Sequence, residues 1–182
     1  MGTVFIRTSM IVGLTVISAG LASAQTAVAL PDSSQTTLLT AAVSEQAQVT
    51  VPVGVTFNVT NVALATASGP ASVTAAGIVM SSASKTLKIW LKGNGPVFTP
   101  SVAATPTWVV ADVSWNAATF SNGGTGVVGT LAETYTAVVT CAANVASCST
   151  TNLVFTLAAK PAITRAGDHT YTMTWKFESI GA

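Results

Sequence analysis

The chain has few residues of the kinds that active sites and charged interfaces use. Its 182 residues include one histidine, two cysteines, seven lysines or arginines and six aspartates or glutamates. A formal net charge of +1 is far from the clustered positive charge that displaces counterions from nucleic acid, so nucleic-acid binding is not expected. So few groups can transfer protons, attack a substrate or hold a metal that we expect a non-catalytic protein without metal or cofactor.

The only acid next to an imidazole is Asp168, which precedes His169. Successive side chains of a strand point to opposite faces, so these two neighbours would not bond as a catalytic triad requires. His169 also shares alternate positions with apolar residues, which predicts a histidine that is packed or satisfied within a loop. A hydrolase with an unrecognised site is the least favoured hypothesis, and acids converging in a deep pocket would support it.

Residues 1–24 have the features of a secretory signal peptide. Arg7 precedes an apolar run from Met10 to Leu21, and Ala22-Ser23-Ala24 supplies small residues for cleavage before Gln25, with a cut near Ala29 as the alternative. A membrane-spanning helix needs about 20 residues, more than this run has, and no second run of that length follows. We therefore expect a mature chain without a membrane span, secreted or held at the cell surface, with the periplasm as the alternative.

Cysteine usage agrees with export. Cys141 and Cys148 lie seven positions apart. In an oxidising compartment such a pair forms a disulfide, whereas a metal site would need ligands that the distant His169 is poorly placed to supply. The sequence predicts a disulfide that ties the loop between one strand ending near Cys141 and another beginning near Asn152.

The mature chain alternates between apolar and polar residues, which is the pattern of half-buried strands. The last segment is the clearest: its polar face carries Thr174, Lys176 and Glu178, and its apolar face is a run of five alternate residues, His169, Tyr171, Met173, Trp175 and Phe177. Similar alternation predicts strands over 49–59, 87–92, 109–115, 135–141 and 153–157, with a weaker one over 73–80. In the fourth of these, Tyr135, Ala137, Val139 and Cys141 share one face.

Turn clusters rich in Gly, Asn and Pro separate these runs. The pattern predicts an antiparallel, Ig-like β-sandwich of seven to nine strands over residues 38–182, after a flexible arm at 25–37. Residues 33–47 have both a near-helical spacing of apolar residues and many threonines. An edge strand or irregular arm is slightly favoured there over a helix.

Trp90 and Trp108 are the residues most indicative of binding. Trp90 falls on the polar face of its strand between Lys88 and Lys92, and Trp108 falls opposite the apolar residues of its own run. An exposed tryptophan beside cations can stack on a sugar or fill a groove in a partner. The alternative is that the lysine stems cover the indole, or that a second layer buries both faces.

The segment from Ala166 to Trp175, AGDHTYTMTW, resembles the closing strand of secreted bacterial β-sandwich proteins. It is similar to the end of the WxL surface proteins of Gram-positive bacteria and, more loosely, to the last strand of pilin-type coat proteins. One extra residue separates Gly167 from Tyr171, and Phe177 stands where the WxL pattern has leucine. The resemblance implies a surface or matrix protein without catalytic residues.

Two hypotheses follow. The first is a structural or assembly subunit, because a charge-poor β protein with unprotected strand edges can pair with further copies or with other surface proteins. The second is a module that binds a carbohydrate or a protein through Trp90, Lys88, Lys92 and Trp108.

Overall fold

The computed structural model describes residues 29–31, 36–103 and 106–181. Residues 1–41 and 42–182 are two separate units, and every described strand belongs to the second. The signal peptide predicted at 1–24 and its cleavage site at Ala24 and Gln25 lie outside the described residues. Over the described ranges, no helix has both the length and the apolar character needed to cross a membrane.

The second unit is built from antiparallel strands, as the alternation predicts. Eight of the strands have three or more residues and five have only two, and a single 3-10 turn at 110–112 is the one helical element of the described chain. The strands are β1 (Gln46–Thr50), β2 (Thr66–Ala67), β3 (Ala71–Val79), β4 (Thr86–Gly93), β5 (Thr99–Pro100), β6 (Val113–Trp115), β7 (Thr125–Gly126), β8 (Gly129–Thr130), β9 (Thr136–Thr140), β10 (Ser147–Leu153), β11 (Phe155–Leu157), β12 (His169–Thr170) and β13 (Met173–Ile180).

The strands form four sheets. One has the order β1-β3-β10 and a second the order β2-β11-β6-β8. β2 and β3 follow each other in the chain, as β10 and β11 do. Because β2 pairs with β11 and β3 pairs with β10, one antiparallel pairing runs from one of these sheets into the other. The third sheet has the order β13-β4-β9-β7, and β5 with β12 forms a fourth of two strands.

The core receives side chains from all three larger sheets. In β4 every second residue is buried, and Leu87, Ile89 and Leu91 join one apolar cluster. Val73 of β3 and Phe155 of β11 belong to the same cluster. The period-two pattern of the sequence therefore identifies the buried face of β4 correctly, and the packing is that of a β-sandwich.

The predicted disulfide is confirmed. Cys141 and Cys148 are bonded, with Cα atoms 5.9 Å apart, and both are buried. Cys141 directly follows β9 and Cys148 is the second residue of β10. The second strand begins at Ser147, five residues before the predicted start near Asn152. The bond consequently joins strands of two different sheets across the sandwich.

Four predicted strands are interrupted. In 109–115 a 3-10 turn at 110–112 precedes β6, and in 153–157 Val154 separates β10 from β11. The run 169–178 divides into β12 and β13 around Tyr171 and Thr172, because His169 and Thr170 pair with β5 whereas the following residues pair with β4. The run 49–59 is a strand only as far as Thr50. From Val55 to Val59 the segment 51–60 keeps the expected alternation, with Val55, Phe57 and Val59 facing inwards, whereas Val53, predicted on the same face, is exposed. The segment joins no sheet.

The stretch before β1 is irregular. Residues 36–45 have no regular secondary structure, and the first strand begins at Gln46. The β-sandwich predicted from residue 38 onwards therefore has no strand before Gln46. An irregular arm, the slightly favoured expectation, is what the described residues of 33–47 adopt up to Glu45.

Glu45 attaches the end of this stretch to the start of β4. Its carboxylate accepts hydrogen bonds from the hydroxyl and backbone N–H of Ser81 and lies 2.9 Å from Lys85 Nζ. These bonds, the Ser81 hydroxyl first, lower the pKa of Glu45 from 4.5 to about 2. Because the folded-state pKa is the lower one, the stabilisation is complete above pH 4.5 and is lost as the pH falls through about 2.

We expect Glu45→Gln to lower the urea midpoint of unfolding at pH 6 and to leave it unchanged near pH 2. The neutral amide cannot gain stability from ionisation, whereas the carboxylate can. Equilibrium unfolding of both proteins at the two pH values measures the difference. A midpoint difference of the same size at both values would contradict the assigned role of the carboxylate.

Candidate functional site

The outward face of the β4–β13 pair carries the predicted binding residues. Lys88, Trp90 and Lys92 alternate with the buried residues of β4 and therefore share its outer side. Lys176 of β13 stands directly opposite Trp90, and Glu178 stands opposite Lys88. The pairing thus adds a third lysine and one carboxylate to the predicted site.

The three ammonium groups lie over aromatic rings. Lys88 Nζ is 4.2 Å from the centroid of the Trp90 ring, and Lys176 Nζ is 5.6 Å from the same centroid. Lys92 Nζ and Lys176 Nζ lie 5.2 and 5.3 Å from the centroid of Tyr135. We call these five residues the cation–aromatic face: Lys88, Trp90, Lys92, Tyr135 and Lys176.

Trp90 is half-buried within this face. Lysines flank its ring, as the alternative interpretation of the sequence expects, so a fully exposed indole is the wrong description. Its indole N–H is enclosed and has no hydrogen-bond acceptor among the described residues. A buried hydrogen-bond donor without an acceptor is uncommon in folded proteins, so the indole N–H of Trp90 is an unusual feature of this face.

Tyr135 was not expected on this face. The sequence places it with Val139 and Cys141 on the buried side of one strand, but Tyr135 is 37% exposed. The cause is a register shift: Ile89 pairs with Val139 while Trp90 pairs with Ala137, which leaves Val138 as an extra, bulged residue. A bulge moves every residue before it in the strand to the opposite face of the sheet. The local sequence pattern does not indicate that a bulge is present.

Trp108 does not join the cation–aromatic face, and its expected exposure is wrong. It is 5% exposed, and its indole N–H donates to the backbone carbonyl of Ala158 over 2.8 Å. The prediction assumes one continuous strand from Trp108 to Trp115, in which alternate side chains face opposite sides. A 3-10 turn at 110–112 interrupts that strand, so the alternation does not extend back to Trp108.

A second feature is a cleft of about 970 Å³ beside β13. Its floor is formed by buried side chains that include Phe98, Trp108 and Phe155. One wall is the stretch from Arg165 to Met173, together with Trp175, and the other is the segment 51–60. The cleft is therefore a largely apolar space between the edge of one sheet and an extended segment that belongs to no sheet.

The edge strand β13 borders this cleft at Met173 and Trp175. It pairs with β4 on one side through eight consecutive residues without a register shift, and no described strand pairs with its other side. The inward side chains of Met173 and Trp175 line the cleft and are only partly buried. Tyr171 closes one end, where its hydroxyl donates to the Gly95 carbonyl and burial raises its pKa.

His169 is packed, as predicted. Its Nδ1 lies 2.7 Å from the hydroxyl of Thr107, and its ring meets the Trp108 ring edge-on with centroids 5.1 Å apart. Asp168 is the single acidic residue in the described lining of the cleft. No cluster of three or more His, Cys, Asp or Glu residues suited to a metal ion occurs in the described part of the chain. The cleft therefore lacks the converging acids that the hydrolase hypothesis requires.

Comparison of the chain with protein-family models, with curated protein sequences and with solved structures finds no match.

Proposed function

We propose that this protein is an exported, non-catalytic structural subunit, which assembles when a strand from a second copy adds to the free edge of β13. The observation that carries the proposal is the long unpaired edge beside the apolar cleft. An unpaired edge presents a row of backbone donors and acceptors to which another chain can bond. β13 has none of the bulges, prolines or inward-pointing charges that usually prevent such pairing.

The cleft lies where one more strand could be added beside β13. On its far side, residues 51–58 donate no backbone hydrogen bond to any described residue. An incoming strand would therefore find unpaired backbone on both sides. Its alternate side chains would cover Met173 and Trp175, which the isolated chain leaves half-buried.

The chain contains a segment suited to be that strand. Within residues 36–45, Leu38, Leu39 and Val43 are 90%, 89% and 74% exposed. Such a run of apolar side chains in solvent is unfavourable unless a partner covers it. Because the arm and the edge are different surfaces, insertion of one into the other gives a head-to-tail contact that continues as an open chain of subunits.

Export and an Ig-like arrangement of the sandwich are part of the same proposal. The apolar segment before Gln25 supports secretion, and the disulfide agrees with an oxidising compartment outside the cytoplasm. The segment from Ala166 to Trp175 resembles the closing strand of bacterial surface and coat proteins. This resemblance supports a role in an extracellular assembly.

Light scattering of the purified mature protein, residues 25–182, over a range of concentrations tests the proposal. We expect the mean mass to rise continuously from monomer through dimer to longer chains, because a head-to-tail contact does not close. A mass that stays at one subunit over the whole range would overturn the proposal. A mass that stops at two subunits would show a closed dimer in place of the open chain of subunits.

A further inference from the structure

We propose that the cation–aromatic face is a binding surface for an acidic polysaccharide, a polymer that carries carboxylates at regular intervals. This inference does not depend on the proposed assembly. The face points away from the core on the outer side of β4 and β13, whereas the cleft is lined by the inward side chains of β13.

The positive charge of the described chain is concentrated at this face. The chain has five lysines, of which Lys85 and Lys160 each lie 2.9 Å from a carboxylate elsewhere. The other three lie on the cation–aromatic face, where Glu178 bonds to Lys176 over 2.8 Å. A nearly neutral protein therefore presents a local excess of two positive charges.

Lys88 and Lys92 form no ion pair with any described carboxylate. They rest on the rings of Trp90 and Tyr135, which are weaker partners than a carboxylate oxygen. An anionic ligand can accordingly draw both ammonium groups outwards without breaking a salt bridge. The movement of Lys88 would uncover part of the Trp90 ring.

The layout of the face suits a sugar polymer. Lys88 and Lys92 are four residues apart on one strand, which separates them by about 13 Å, and Lys176 stands between them on the next strand. The cations thus follow the strand direction at intervals, with two aromatic rings among them. Rings bind the apolar faces of sugars, and spaced ammonium groups bind spaced carboxylates. Three lysines with so little net charge elsewhere are too few for nucleic acid.

Affinity electrophoresis in gels that contain polygalacturonate tests this inference, with neutral dextran as the matched uncharged polymer. We expect polygalacturonate, and not dextran, to retard the wild-type protein, and the retardation to weaken between 0.05 and 0.5 M salt because the contacts are exposed. The double variant Lys88→Gln/Lys92→Gln should bind about tenfold more weakly, since each exposed ion pair contributes at most about fivefold. Lys160→Gln, which removes one charge at a residue that lies neither on this face nor in the cleft lining, should bind as the wild type does.

Fluorescence provides a second readout. Polygalacturonate should change the tryptophan emission of the wild type, and Trp90→Phe should abolish most of that change while its thermal midpoint confirms a folded protein. The inference is overturned if dextran retards the protein equally, if the double variant and Lys160→Gln lose equal affinity, or if vesicles with anionic lipid bind in preference to the polysaccharide. Failure of the assembly experiment leaves these outcomes unaffected, so the two proposals can fail separately.

Discussion

Met173→Glu is expected to convert the associating protein into a monomer, with the association constant reduced by about 100-fold or more. Met173 lines the cleft on the inward side of β13, and strand insertion would bury it completely. An unpaired carboxylate buried there costs several kcal/mol, and each 1.4 kcal/mol is a factor of ten in affinity. In the free subunit the same side chain is only partly buried, so the variant should fold.

Thr174→Glu is the matched control for this prediction. Thr174 is the next residue of β13, faces outwards opposite Lys92, and would place the same charge on the other side of the same strand. It should associate as the wild type does. Light scattering on the three proteins at equal concentrations makes the comparison. Equal association of Met173→Glu and wild type would show that the cleft is not where subunits meet, and equal loss in both variants would point to a general effect of charge on β13.

Removal of the disulfide should cost about 3 kcal/mol of unfolding free energy. The double variant Cys141→Ala/Cys148→Ala loses the constraint on a short loop, worth about 2–3 kcal/mol in the chain-entropy model, and leaves small cavities at two buried positions. Because the bond joins β9 to β10, which lie in different sheets, we expect the loss to affect unfolding of the whole sandwich.

Urea unfolding of the oxidised wild type, the reduced wild type and the double variant measures this effect. The reduced wild type keeps the sulfur atoms and loses only the constraint, so it should fall between the other two. Identical midpoints for oxidised and reduced protein would contradict the prediction. A fall in midpoint confined to a separate, earlier transition would show that the bond stabilises only the loop around Asn144.

The cation–aromatic face was partly predictable from the sequence. Lys88, Trp90 and Lys92 share a face because strands alternate, and that rule needs only the local sequence. The same rule places Lys176 on the polar side of β13. It does not say that Lys176 stands opposite Trp90, because cross-strand neighbours depend on register. Tyr135 shows the limit most clearly, since the bulge at Val138 moves it to the face that its own pattern excludes.

The segment 51–60 marks a different limit. Its alternation correctly predicts that Val55, Phe57 and Val59 face inwards, because apolar side chains are buried wherever the backbone is extended. The pattern carries no information about backbone partners, which the rest of the fold must supply. Here the neighbouring sheet edge lies across a cleft, so a strand-like sequence remains outside any sheet.

The all-β class, the disulfide between Cys141 and Cys148 and the facing of β4 follow from the amino-acid pattern alone, because period-two burial and the pairing of nearby cysteines are local properties. Three other features come from the packing of the folded chain: Trp108 is buried, Tyr135 is not, and the edge of β13 borders an open cleft. These three depend on a turn, a bulge and an unpaired strand. Each of them depends on contacts between residues distant in the chain, and local alternation contains no information about such contacts.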